Sequence, residues 1–178
     1  LAWGRFVNDY RDSWEIVRRA NHAQVGLCLD TFHIFSRGVE IQTILNIPGD
    51  KIFLVQVADA PRLSMDHLSW SRHYRCFPGQ GELPIDQFVS NLHATGYNGA
   101  FSLEIFNDQF RSGSPENTAR DGYRSLVYAN RSSESVTAQQ GELLPAIKSP
   151  TEIQFIEFAV DQTEKQSLTQ LLGTLGFS

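Results

Sequence analysis

The sequence predicts an α/β chain that forms the C-terminal part of a (β/α)8 barrel and then begins a second α+β domain. Three observations carry this. Three short apolar runs, Gly26–Asp30, Lys51–Val57 and Tyr97–Phe106, have the continuous hydrophobicity of buried parallel strands. Helical patterns alternate with them, as in a barrel rather than a sandwich. Each run brings a polar side chain to its C-terminal end: Asp30, Gln56 and Glu104. In a barrel those ends meet on one face, where active sites lie.

Taken in order, Leu1–Phe6 reads as a loop. Asp12 or Ser13 then caps a helix through Ala20, with Trp14, Val17 and Ala20 inward and Ile16 beside them. The first complete strand follows. Thr31–Gly38 is expected to be a loop and Val39–Leu45 a short helical stretch, stopped by Pro48-Gly49-Asp50. After the second strand, Ala58–Leu83 forms a long polar and aromatic connection, and connections of that length are usually functional. Ile85–Thr95 is amphipathic, with Phe88, Val89 and Leu92 inward and Gly96 past its end. The third strand is followed by a helix over Pro115–Asn130, with Ala119, Tyr123, Leu126 and Val127 on one face.

The barrel portion is expected to cover residues 1–130. Residues 131–150, rich in Ser, Gln and Glu, read as a linker, and 151–178 as the start of the second domain. There Glu152–Val160 alternates like a half-buried strand. Gln162–Thr174 is a helix with Leu168, Leu171, Leu172 and Leu175 inward. The chain opens on Leu1 and stops just after that helix, so it reads as a piece of a longer protein.

A net charge of -5 with no basic cluster points away from nucleic acid and toward a small-molecule partner. The two cysteines, Cys28 and Cys76, have no motif spacing, which suits a reduced, cytoplasmic enzyme. No apolar run reaches membrane-spanning length, so a membrane is not an expected partner; self-association into a homo-oligomer stays open.

Asp30, Gln56 and Glu104 are hard oxygen donors without a thiolate, a set suited to Mg2+, Mn2+ or Co2+. The bland alternative is three ordinary polar strand ends. His33, three residues past Asp30, has the chemistry of a general base near neutral pH. Arg72, His73 and Arg75 supply positive donors for a substrate carboxylate, or else solvate the loop or pair with Glu82 or Asp86.

Leu1-Ala2-Trp3-Gly4-Arg5, Gly26–His33, Phe77-Pro78-Gly79-Gln80-Gly81 and Ser102–Asp108 together resemble the 3-dehydroshikimate dehydratase family. That family belongs to the sugar phosphate isomerase/epimerase, or xylose-isomerase-like, TIM barrels. The resemblance implies a metal held by Asp30, Gln56 and Glu104 plus a glutamate ahead of Leu1, so that this stretch alone is inactive. It implies His33 as base, Arg75 and Ser71 as substrate contacts, and dehydration of 3-dehydroshikimate to protocatechuate. A sugar phosphate or inositol isomerase/epimerase, or a non-catalytic binding module, are the alternatives. Residues Ile153–Val160 and Leu171–Phe177 are similar to the opening of 4-hydroxyphenylpyruvate dioxygenase, a vicinal-oxygen-chelate fold.

Overall fold

The computed structural model describes residues 1–132, 156, 158 and 160–177. The chain divides into two units, Leu1–Pro145 and Ala146–Ser178.

In the first unit, helix α1 runs Tyr10–Ala20. It starts earlier than expected because Asp9, not Asp12 or Ser13, is the N-cap, accepting from the Arg11 N–H. It buries Tyr10 and Val17, while Ile16 faces out at 54% exposure. Strand β1, Leu27–Asp30, turns directly into helix α2, Thr31–Phe35, where a loop is expected. Asp30 caps that helix by accepting from the His33 N–H, and Phe32 and Ile34 supply the buried face that makes so short a helix stable.

A 3₁₀ turn over Gln42–Asn46 takes the place of the expected stretch at 39–45 and leads to strand β2, Ile52–Val57. Helix α3, His67–His73, lies inside the long connection, capped by Asp66 and anchored by buried Trp70. Helix α4 spans Ile85–Ala94. Strand β3, Phe101–Leu103, is shorter than expected because the Tyr97 hydroxyl donates to the Ala100 carbonyl and closes a turn at its entry. Helix α5, Asp108–Ser112, is capped by Asn107. Helix α6 covers Pro115–Ser132. It turns a different face inward than expected. Gly122, Ser125 and Ala129 are buried and Tyr123 is 60% exposed, since Gly122 lets the helix approach Leu103 and Phe77 closely.

The strands pair in parallel in the order β1-β2-β3, with Asp30 opposite Gln56 and Gln56 opposite Ser102. Leu29, Val55 and Val57 project to one face and are buried with Phe32, Ile44, Phe88, Val89 and Leu92. Full burial of each such side chain is worth about 1.5–3 kcal/mol. On the opposite face Cys28 is exposed and Leu54 retains 38% exposure. Parallel sheets are ordinarily covered on both faces, and in a closed barrel this second face is the interior.

In the second unit, helix α7, Gln162–Thr174, opens with a capping box between Asp161 and Glu164. Of the expected inward leucines, Leu168 and Leu172 are half-buried and Leu171 and Leu175 are exposed. The expected strand at 152–160 lies outside the described residues apart from Ile156, Phe158 and Val160, which are exposed. Of the expected linker, Arg131 and Ser132 complete α6 and 133–150 lie outside the described residues.

Candidate active site

The strand ends carry the polar side chains together. Asp30 closes β1, Gln56 sits one residue before the end of β2, and Glu104 follows β3, its N–H donating to the Val57 carbonyl at 3.3 Å. The register that sets Asp30 opposite Gln56 and Gln56 opposite Ser102 puts these positions on the face away from the helices. Thr31 ties the strand ends further, its hydroxyl donating to the Ala58 carbonyl at 2.6 Å and accepting from the Ala58 N–H at 2.8 Å.

Arg75 is the hub. At 1% exposure, its Nη1 donates to Asp30 Oδ2 at 3.0 Å, to Glu104 Oε2 at 2.7 Å and to the Glu104 carbonyl at 3.1 Å. Nε and Nη2 donate to Ser71 Oγ at 3.1 and 2.7 Å. The guanidinium carbon also lies over the Phe32 and Phe106 rings, 4.7 and 5.5 Å from the ring centres. A buried cation is tolerable only with such compensation. Arg75 thus points at the carboxylates, and Ser71 at Arg75. Burial, and then the neighbouring Asp30 carboxylate, push the Glu104 carboxyl above the usual range, against the pull of Arg75.

His33 is half-buried, its Nε2 3.7 Å from Asp30 Oδ2, against the edges of Trp3 and Phe32. Burial, aided by the Arg75 charge, pushes its pKa down to about 4, so it is neutral at pH 7. Its Nδ1 accepts from the Ala2 N–H at 3.2 Å, which leaves the ring proton on Nε2. Gln56 stands apart from the Arg75 network: its Oε1 accepts from Cys28 Sγ at 3.3 Å. Cys28, Asp30, His33 and Gln56 line a cavity of about 210 Å3.

Of the other expected donors, Arg72 lies exposed over Phe106 at 5.3 Å and His73 Nδ1 meets Asp108 at 2.8 Å. Neither pairs with Glu82 or Asp86. Sequence reasoning missed Asp59. This 1% exposed carboxylate accepts from the N–H groups of Ala60, Gly79, Gly81 and Leu83, and its own backbone pairs with Cys76 beside Arg75. It pins the Pro78-Gly79-Gln80-Gly81 turn under the site. Gly79 adopts φ 87°, and a Cβ at Gly81 would collide with Asp59 itself. An acid at the end of an apolar run, followed by a glycine-rich turn, is the signal that points to it.

The donor set fits a hard divalent cation in kind: two crowded carboxylates, one of them with a raised pKa, and an amide oxygen on the same face. Among the described residues no group of three or more His, Cys, Asp or Glu side chains gathers into a metal cage. Asp30 and Glu104 are two such residues, and Gln56 supplies the third oxygen.

Residues 2–128 match the family of xylose isomerase-like TIM barrels. Along its whole length the chain is 46% identical, over 186 aligned positions, to the 3-dehydroshikimate dehydratase of Pseudomonas putida, and it spans 29% of that protein. A solved xylose isomerase-like TIM barrel/4-hydroxyphenylpyruvate dioxygenase fusion protein is also 46% identical; the match has a TM-score of 0.72 and covers 97% of this chain and 29% of that one. A solved IOLI protein with a bound zinc atom is 28% identical at a TM-score of 0.64, the match covering 69% of this chain and 44% of that one. The parallel strands, their polar ends and the matched span agree: the chain belongs to the xylose isomerase-like TIM barrel family.

Proposed function

We propose that the protein to which this chain contributes dehydrates 3-dehydroshikimate to protocatechuate. The observation that carries this is the whole-chain identity of 46% to a 3-dehydroshikimate dehydratase. It is supported by the chemistry of Asp30, Glu104, Arg75, Ser71 and His33 at the strand ends. Asp30, Gln56 and Glu104 are the residues that would hold a divalent cation, Mg2+, Mn2+ or Co2+. Such a cation supplies Lewis-acid stabilisation of the negative charge that develops on the substrate ketone oxygen.

The remaining work falls to this chain's side chains. His33 takes the proton next to the ketone, its imidazole held neutral by burial. Because Nδ1 holds the Ala2 N–H, accepting a proton requires the ring to release that contact. Arg75 and Ser71 bind the substrate, the guanidinium taking its carboxylate. Loss of hydroxide with aromatisation completes the elimination.

The domain plan belongs to the same proposal: barrel over 1–130, linker over 131–150 apart from the two residues that complete α6, and from 151 the opening of a 4-hydroxyphenylpyruvate dioxygenase-like domain. The match to the fusion protein over 97% of this chain supports it. Among the described residues no helix is long and apolar enough to cross a membrane. We place the enzyme in the cytoplasm on the strength of its free cysteines, Cys28 and Cys76.

The test is an ultraviolet assay for protocatechuate from 3-dehydroshikimate, using the full-length protein with each cation and then with chelator. Cation-dependent product that vanishes in Glu104→Ala is expected. A folded, cation-loaded protein that yields no product refutes the proposal.

A further inference from the structure

The edge of Arg75 that faces the carboxylates is fully used. Its two Nη1 protons serve three acceptors, Asp30 Oδ2, Glu104 Oε2 and the Glu104 carbonyl, and Nε is committed to Ser71. An arginine so engaged cannot also grip a substrate carboxylate with a paired fork. The formal charges make the same point. Arg75 and Asp30, both buried, carry with the one-third-exposed Glu104 a net formal charge of -1, which repels an anion. A divalent cation on the same carboxylates brings the group to +1, which attracts one.

We infer that Arg75 is the built-in countercation of Asp30 and Glu104 while no metal is bound. Cation binding at those carboxylates releases it to take the substrate's carboxylate, so anionic substrate binds after the cation. The choice of substrate here rests on the dehydratase proposal. The aromatic neighbours suit such an exchange: the guanidinium carbon lies over the Phe32 and Phe106 rings, a hold that does not depend on which acceptors its N–H groups serve. Ser71 remains as an anchor through Nε and Nη2. Coupling of this kind is reciprocal, so a bound carboxylate ligand also tightens the cation.

The experiment measures binding of protocatechuate, a carboxylate-bearing product that does not turn over, by calorimetry on the full-length protein. Three forms are compared: metal-stripped wild type, Mg2+-loaded wild type, and metal-stripped Glu104→Gln. The variant removes one negative charge and frees part of Nη1 without supplying any cation. Loading wild type is expected to tighten protocatechuate by roughly tenfold or more, within the usual range for coupled sites. Stripped Glu104→Gln is expected to recover roughly fivefold or more over stripped wild type. Catechol, which lacks the carboxylate, should show no such recovery. Asp30→Asn, which keeps the cap on α2, reads the same quantity if Glu104→Gln fails to fold. If both folded variants bind protocatechuate as weakly as stripped wild type, the exchange is overturned and the dehydratase proposal stands. Equal recovery for catechol also overturns it. If loaded wild type does not bind protocatechuate at all, the exchange is overturned, and the dehydratase proposal is decided separately by the product assay.

Discussion

Asp59→Asn replaces one carboxylate oxygen with an amide nitrogen at the point where four backbone N–H groups converge. In the native protein Oδ1 accepts from Ala60 and Leu83 at 2.8 and 2.9 Å, and Oδ2 from Gly79 and Gly81 at 3.1 and 2.9 Å. Whichever way the amide is turned, its NH2 faces two donors and two hydrogen bonds are lost. Hydrogen bonds to a charged acceptor contribute about 1.5–3 kcal/mol each, so the turn loses about 3–6 kcal/mol. At about 1.4 kcal/mol per factor of ten, amide protection at Gly79, Gly81 and Leu83 should fall by roughly 10²–10⁴, up to the limit set by global unfolding. Hydrogen–deuterium exchange on the full-length protein reads this directly. Protection at those amides within threefold of wild type would show that Asp59 does not hold the turn.

Lowering the pH should destabilise the fold through His33. Its pKa is lowered from 6.5 to about 4 on folding, so between those values the unfolded chain binds a proton that the folded one does not. Stability is therefore complete above pH 6.5 and declines as the pH falls toward 4, by up to about 3 kcal/mol. Melting curves of wild type against His33→Gln over that range should converge as the pH drops; parallel curves refute the linkage. In the core, Phe88 is 0% exposed beneath the sheet, and Phe88→Ala should cost about 3–5 kcal/mol in urea unfolding.

The strands and their polar ends were legible because a buried parallel strand must be apolar throughout, so Asp30, Gln56 and Glu104 stand out at its edge. Helix α4 was legible for a related reason: Phe88, Val89 and Leu92 repeat at helical spacing and are fully buried. Helices α2 and α3 were not, since five and seven residues hold too little periodicity to show. Their stability comes from the Asp30 and Asp66 caps and from Phe32 and Trp70 packing in three dimensions. The orientation of α6 hid for the opposite reason: the absent side chain of Gly122, not an apolar one, decides which face turns inward. In the site, residue types announced their chemistry but not their partners. That Arg75 joins residues 45 and 29 positions away in sequence is a fact of the closed fold alone.

Dissolved salt meets two populations of charge in this molecule. The pairs Arg18–Glu15, Arg19–Glu15 and Arg120–Glu116 stand in water on the outer helix faces, where dissolved ions weaken their attraction. The Asp59 carboxylate, 1% exposed, is shielded from mobile ions and answers to the four backbone N–H groups around it. The glycine turn it holds is therefore insulated from the ionic medium. The helices' outer surfaces can adapt to that medium without altering it.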